Sequence, residues 1–199
     1  MGLDIRQAGP SDRDAVARLL DEAFRNDPVS SWVFPDPEHR RAVHGKFLGV
    51  FVDVALEQGR IDYAVDGSCA ALWLRVPAGE HEDEDEEDIP AKMRAVADPD
   101  NERCELVGRL TGEVHPTAEE HEYLLMIAVD PARQGEGLGT GLMRPVLDAC
   151  DRDGVPAYLE ASSERSKRLY ERLGWEFTGT AVQLPDGPPM WPMWRKPRG

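Results

Sequence analysis

Apolar positions along the chain follow two rhythms, one with the period of a helix and one that suits strands. Leu3 to Arg6 reads as a short strand, and Ser11 with Asp14 opens a helix that carries Val16, Leu19, Leu20, Ala23 and Phe24. That helix ends near Asn26-Asp27-Pro28, and a loop, DPVSSWVFPDP, leads to a second helical stretch over 38–58 with Val43, Phe47, Val50, Phe51 and Val54 on one side. The runs 61–65 and 69–76 flank Asp66-Gly67, a dipeptide suited to a tight turn, and predict a hairpin. A weaker helical region over 90–110 is broken at Asp98-Pro99-Asp100-Asn101. Residues 121–129 are almost wholly apolar, the mark of a strand covered on both faces. A helix over 137–152, a strand over 157–160, a helix over 163–173, a strand over 175–182, a turn over 184–189 and a last strand over 190–194 complete the order. Strands alternating with helices around one mixed sheet predict an α/β three-layer fold, with all 199 residues in a single domain.

Composition narrows the functional classes. A hydrophobic content of 41% with 31% charged residues is that of an ordinary globular protein, and no window approaches the ~20 consecutive apolar residues of a membrane span. Met1 to Pro10 lacks the parts of a signal peptide, so a cytoplasmic protein is expected. Cys69, Cys104 and Cys150 are far apart and odd in number, which argues for reduced thiols and against a metal or disulfide framework. A net charge of -15 with no basic stripe disfavours nucleic acid as a partner. The same charge draws in cationic ligands, unless it serves solubility alone. Much of it is local, in an acidic insertion around 79–89 that contains Glu80 and the run Glu82 to Asp88 and reads as a solvated loop or a disordered insertion.

The central strand stops at Asp130-Pro131, turns through Gly135, Gly137 and Gly139, and restarts as a helix. Such a turn leaves backbone amides pointing outward at a helix N-terminus, a geometry that binds pyrophosphate. A nucleotide-triphosphate loop needs Lys and Ser or Thr after its last glycine, and Gly139 is followed by Thr140-Gly141. A dinucleotide fingerprint needs G-x-G-x-x-G, whereas these glycines fall on alternate residues. What remains is Gln134-x-x-Gly137-x-Gly139, preceded by Arg133.

This turn after a buried strand, followed by a helix, by Leu159-Glu160 and by Leu169-Tyr170-Glu171-Arg172-Leu173-Gly174-Trp175, resembles the GNAT superfamily of acetyl-CoA-dependent N-acetyltransferases. Ala23-Phe24, Asp27-Pro28, Trp73, Gly154-Val155-Pro156, Arg195-Lys196-Pro197 and the helix-internal Pro145 extend the likeness to the puromycin N-acetyltransferase branch. The resemblance implies a splayed central sheet in which the backbone of Met126, Ile127, Ala128 and Val129 pairs with the pantetheine arm of acetyl-CoA. It also implies that the amides of Gln134, Gly135, Glu136, Gly137, Leu138, Gly139 and Thr140 hold the pyrophosphate, with no metal required. Arg133 adds positive charge on the phosphate side or is a plain surface charge. Ser166 stands where the branch carries asparagine, which weakens one coenzyme contact.

The reaction so implied is attack by a neutral amine on the thioester. An alkylamine with a pKa near ~10 must lose a proton first, at a cost of about 4 kcal/mol at pH 7. Asp27, His121 and Glu122 are the candidate bases; the alternatives are a helix-ending turn for Asp27 and strand-edge solvation for the other two. Tyr170 matches the superfamily tyrosine that protonates the leaving thiolate, an acid contribution of roughly 10² to 10⁴ in rate. Trp32, Phe34 and Tyr123 are assigned to the acceptor pocket, while Trp191 and Trp194 fit core packing or a subunit interface better. Asp27 and Glu122 replace aromatic residues of the puromycin-modifying members, so the acceptor is expected to be more cationic and less aromatic than puromycin. The overall expectation is acetyl transfer to the primary amine of a small cationic molecule, such as an antibiotic or another secondary metabolite, by a monomer or homodimer. The alternatives are acetylation of a protein lysine or N-terminus, and a non-catalytic acyl-CoA sensor.

Overall fold

Residues 3–79 and 89–198 are described by the computed structural model; the acidic run Glu82 to Asp88 and Glu80 lie outside them. The strands are β1 (Ile5–Gln7), β2 (Gly59–Ala64), β3 (Cys69–Val76), β4 (His121–Val129), β5 (Ala157–Ala161), β6 (Glu176–Phe177), β7 (Val182–Gln183) and β8 (Pro189–Arg195). Among the described residues they form one sheet in the order β1-β2-β3-β4-β5-β8-β6, with β7 also on β8. All pairings are antiparallel except β4 with β5.

The helices are α1 (Arg13–Phe24), α2 (Pro28–Val33), α3 (Pro37–Gln58), α4 (Ile89–Ala97), α5 (Arg103–Gly112), α6 (Leu138–Asp153) and α7 (Glu164–Arg172). One core joins α1, α2 and α3 to the sheet through Val16, Leu20, Phe34, Phe47 and Leu48. The other gathers Leu142, Met143 and Leu147 of α6 with Trp73, Leu159, Tyr170 and Trp175. Helices therefore cover the mixed sheet on both faces, the three-layer arrangement expected from the alternation of elements. No described helix is long and apolar enough to cross a membrane.

The observed elements depart from the sequence expectations in three places. Ser11 does not cap α1; a 3₁₀ turn over Pro10–Asp12 precedes the helix, and Asp12 accepts from the Gly9 amide and from Arg6. The stretch read as a loop after Asp27 is a helix, because the Asp27 carboxylate accepts from the amides of Val29 and Ser30 and Pro28 fits the first helical position. The strand expected over 175–182 is split into β6 and β7, since Gly179 at φ +105° cannot continue the pleat.

The feature that positions the site is the divergence of β4 and β5. They pair only at Glu122 with Ala157 and at Tyr123 with Tyr158. On its other side β4 stays paired with β3 up to Val129, across an irregularity opposite Leu72 and Trp73. Among the described residues the edge of β4 that faces β5 has no strand partner beyond Tyr123, so backbone amides and carbonyls along it can pair with an extended ligand.

Candidate functional site

The open edge of β4 runs into the glycine turn. Asp130 accepts from the Ala132 amide and closes a 3₁₀ turn over Pro131–Arg133. The chain then passes through left-handed backbone at Gly135 (φ +91°) and Gly137 (φ +81°), and Gly137 caps α6. A side chain at Gly137 would meet no heavy atom within 4 Å, so the requirement for glycine there is conformational. The first helical hydrogen bond is Gly141 N–H to the Gly137 carbonyl at 2.9 Å, leaving the amides of Leu138, Gly139 and Thr140 without a helical acceptor. The turn is exposed, and the helix dipole adds to its attraction for an anion.

Arg133 is already committed in this cradle. Its guanidinium donates to Asp66 at 2.7 Å and to Glu136 at 3.0 Å, and these partners raise its pKa. Asp66 in turn falls to about 2, chiefly through the Ser68 hydroxyl and amide and then Arg133. Gln134 turns its side-chain amide back toward the Val129 carbonyl at 3.5 Å. Ser166 is occupied within α7: it exchanges amide and hydroxyl hydrogen bonds with Ser163 at the helix start.

Tyr170 and Asp27 come together from distant parts of the chain. Tyr170 projects from α7 onto Trp175, with ring centroids 5.7 Å apart, and is 7% exposed. Burial and the Asp27 charge both push its phenol upward, and among the described residues its hydroxyl has no hydrogen-bond partner. It is thus a phenol whose proton is not committed to a protein acceptor among the described residues. Asp27 uses Oδ1 to cap α2 and Oδ2 to accept from the Ser162 hydroxyl at 2.6 Å. Burial raises its pKa against the opposing effect of these donors, which makes it a better proton acceptor than an exposed aspartate.

His121 and Glu122, neighbours in sequence, do not share a site. Successive residues of a strand point to opposite faces. Glu122 lies with Arg60, Arg75 and Cys150 along a cavity of about 430 Å³ beside α6, paired to Arg60 at 3.0 Å and Arg75 at 3.1 Å. His121 is fully buried on the other face with Tyr123, Tyr158, His115 and Trp194 around it. Tyr123 donates to Glu160 at 2.8 Å, and burial followed by that carboxylate pushes its phenol well up.

Of the aromatic residues assigned to the acceptor pocket, Phe34 is 1% exposed and packs edge-on to Phe47, inside the helical layer. Trp32 is held between the Arg103 guanidinium, 4.8 Å from its ring, and the 184–187 turn, where its indole N–H donates to the Pro185 carbonyl. Three residues at the mouth of the splay were not singled out from sequence for their chemistry: Ser162, Glu160 and His115. A single glutamate inside the otherwise apolar run AYLEA of β5 was the available signal for Glu160. Nothing local pointed to His115, which reaches the site from the connection between α5 and β4. Among the described residues no cluster of His, Cys, Asp and Glu is arranged to hold a metal ion.

Comparison with known proteins bears on this geometry. The acetyltransferase (GNAT) family model matches residues 55–175. A mycothiol acetyltransferase of Brachybacterium faecium is 42% identical over 64 residues, covering 31% of this chain and 19% of the relative. A mycothiol acetyltransferase of Kineococcus radiotolerans is 41% identical over 69 residues, covering 33% and 22%. The match thus spans about a fifth of the length of these curated relatives. Among solved structures, a chain described as histone acetyltransferase HPA2 and related acetyltransferase from Corynebacterium glutamicum superposes with a TM-score of 0.70 at 25% identity, covering 100% of this chain and 98% of that one. Arylalkylamine N-acetyltransferase 2 from Aedes aegypti superposes with a TM-score of 0.65 at 13% identity over 100% of both chains, a likeness of fold.

Proposed function

The chain belongs to the acetyltransferase (GNAT) family, and from that premise we propose that it transfers the acetyl group of acetyl-CoA to the primary amine of a small cationic molecule. The observation that carries this reading is the unpaired edge of β4 leading into the amide-rich turn before α6. Backbone of Met126 to Val129 takes the pantetheine arm as an added strand, and the amides from Gln134 to Thr140 take the pyrophosphate. This lays the thioester in the mouth of the splay, beside Tyr170 and the Asp27 carboxylate that it senses.

The neutral amine attacks the thioester carbonyl, forming the C–N bond and a tetrahedral intermediate. As the C–S bond breaks, the Tyr170 phenol gives its proton to the leaving sulfur. Asp27, kept ready to accept by burial, takes the proton the nitrogen sheds, and its closeness to Tyr170 lets the phenol be recharged. Of the candidate bases we choose Asp27, because Glu122 is held by two guanidinium groups and His121 is sealed in the core.

A site framed by Asp27, Glu160 and tyrosine hydroxyls suits a cationic amine of modest aromatic character. The acceptor is an antibiotic or another secondary metabolite in this reading, as in the puromycin branch the sequence resembles, with puromycin itself a poor fit. The mycothiol acetyltransferase and arylalkylamine N-acetyltransferase relatives support a small-molecule amine. Mixing the protein with acetyl-CoA, a panel of amines and a thiol reagent tests it. Release of CoA that depends on a cationic small amine is expected; saturable acetyl-CoA binding with no release for any amine would reject turnover.

A further inference from the structure

At one end of α6 the layer between helix and sheet is charged where it should be apolar. Elsewhere the helix covers Trp73 and Leu124, as a helix packed on a sheet is expected to do. Toward its C-terminal half the sheet instead presents Arg60 and Asp62 of β2, Arg75 of β3 and Glu122 of β4. The alternation along each strand puts these four on the same face as Trp73 and Leu124. The cavity of about 430 Å³ lies between them and Leu142, Val146 and Ala149 of the helix, with the exposed Arg75 and Asp153 at its mouth. Neither Asp27, Ser162, Tyr170 nor the glycine turn lines it.

The charges around this cavity do not balance. Arg75 donates to Glu120 at 2.9 Å and to Glu122 at 3.1 Å, and Arg60 lies 3.0 Å from Glu122 Oε2. That last approach brings charges together without the alignment of a hydrogen bond, since Oε2, on a side chain nine-tenths buried, has no hydrogen-bond partner among the described residues. Asp62 has less. Its nearest cation is Arg60 at 3.9 Å, and among the described residues it accepts no hydrogen bond. Burial raises its pKa, with Arg60 opposing and Glu122 adding to the rise. Two guanidiniums thus face three carboxylates, Glu120, Glu122 and Asp62, and Asp62 is the one left over. We propose that the cavity is a second ligand site, apart from the splay of β4 and β5, which takes an organic ammonium with an apolar body. The ammonium N–H donates to Asp62, with the Glu122 charge behind it, and the hydrocarbon lies against Leu142, Val146 and Ala149. An anionic ligand would meet Asp62 with both guanidiniums already engaged. The volume falls within the ~300 to 1,000 Å³ usual for small-molecule pockets. The inference stands independently of which acceptor receives the acetyl group.

The probe that tests it is N,N-dimethylhexylammonium chloride, which is protonated at neutral pH, keeps one N–H and forms no stable amide, so binding is read without turnover. Calorimetry is expected to show saturable binding to the wild type. Asp62→Asn removes the charge and keeps the shape, and should weaken that binding by about tenfold or more. Ala149→Leu fills the space from the helix side without touching a charge, and should weaken it to a similar extent; thermal melts check that both variants fold. Asp27→Asn, on the acceptor side of the splay, should leave it unchanged. Absence of saturable binding to the wild type through the millimolar range, or wild-type affinity in both Asp62→Asn and Ala149→Leu, overturns the site. Binding lost in Asp27→Asn and kept in Asp62→Asn places the probe at the acceptor and overturns it as well. Acetyl-CoA-dependent turnover of a primary amine, measured separately, stands or falls apart from these results.

Discussion

The two halves of the site are built from different materials. The half proposed for the coenzyme, along β4 and the turn before α6, consists of backbone amides and carbonyls left open by strand divergence and by two left-handed glycines. The half proposed for the acceptor is made of side chains, Asp27, Tyr170, His115 and Glu160, that arrive from four separate parts of the chain. Backbone groups are present whatever the residue, so the first half tolerates side-chain change as long as the chain path holds. The second half depends on each carboxylate and hydroxyl individually. Substitutions at acceptor-side groups should therefore act on turnover, and those along the cradle on coenzyme affinity.

The largest effect is expected at Asp27. Asp27→Asn removes the proposed base and should lower kcat/KM for the amine by about 100-fold or more at pH 7. Asparagine caps a helix as well as aspartate does, so the start of α2 survives. The buried carboxyl has a raised pKa, so folding favours its protonated form. That contribution is complete below the unfolded value of ~3.9 and is lost as pH rises through the folded pKa. At neutral pH the wild type therefore carries a buried charge that the variant lacks, and thermal denaturation should show a melting temperature equal or higher for Asp27→Asn. A fall in stability together with activity would mean that the residue is structural.

Tyr170→Phe comes next. It keeps the ring against Trp175 and deletes the hydroxyl, so kcat should fall by about tenfold or more, with acetyl-CoA affinity unchanged. Steady-state kinetics giving wild-type turnover would remove the phenol from the mechanism.

On the coenzyme side, Gly137→Ala meets no steric obstacle, only the cost of left-handed backbone, about 1–2 kcal/mol. Acetyl-CoA affinity by calorimetry should weaken by roughly tenfold if the turn relaxes to avoid that cost, while kcat at saturating coenzyme changes little. Equal loss in both would break the division between the two halves. Arg133→Ala should have the smallest effect, below about threefold in acetyl-CoA affinity, since its exposed guanidinium is shared by Asp66 and Glu136. A large loss there would show that those contacts give way to the phosphates.

Much of the path of the proposed coenzyme half was legible along the chain. The apolar run ending at Asp130-Pro131 and the glycines after it are local signals, and β4 occupies the residues expected from its hydropathy. The acceptor half was legible only in part. Tyr170 stood out by motif, and Asp27 beside Pro28 by resemblance, but the reading of a loop there missed α2, because capping by a carboxylate looks the same in sequence as a helix-ending turn. His121 and Glu122 were read together and are separated by the pleat. Phe34 was read as pocket and lies in the packing between α2 and α3, where an aromatic ring gains more from burial than from a ligand.

The chain on its own determined the order of elements and the glycine turn whose amides are proposed to bind a pyrophosphate, because each depends on residues within a few positions of one another. Only the tertiary structure decided where β4 and β5 part company, that Asp27 meets Ser162 and influences Tyr170, and that His115 faces Glu160. Those contacts join residues tens to more than a hundred positions apart, and they exist because packing two cores on opposite faces of one twisted sheet brings the ends of separate elements to the same opening.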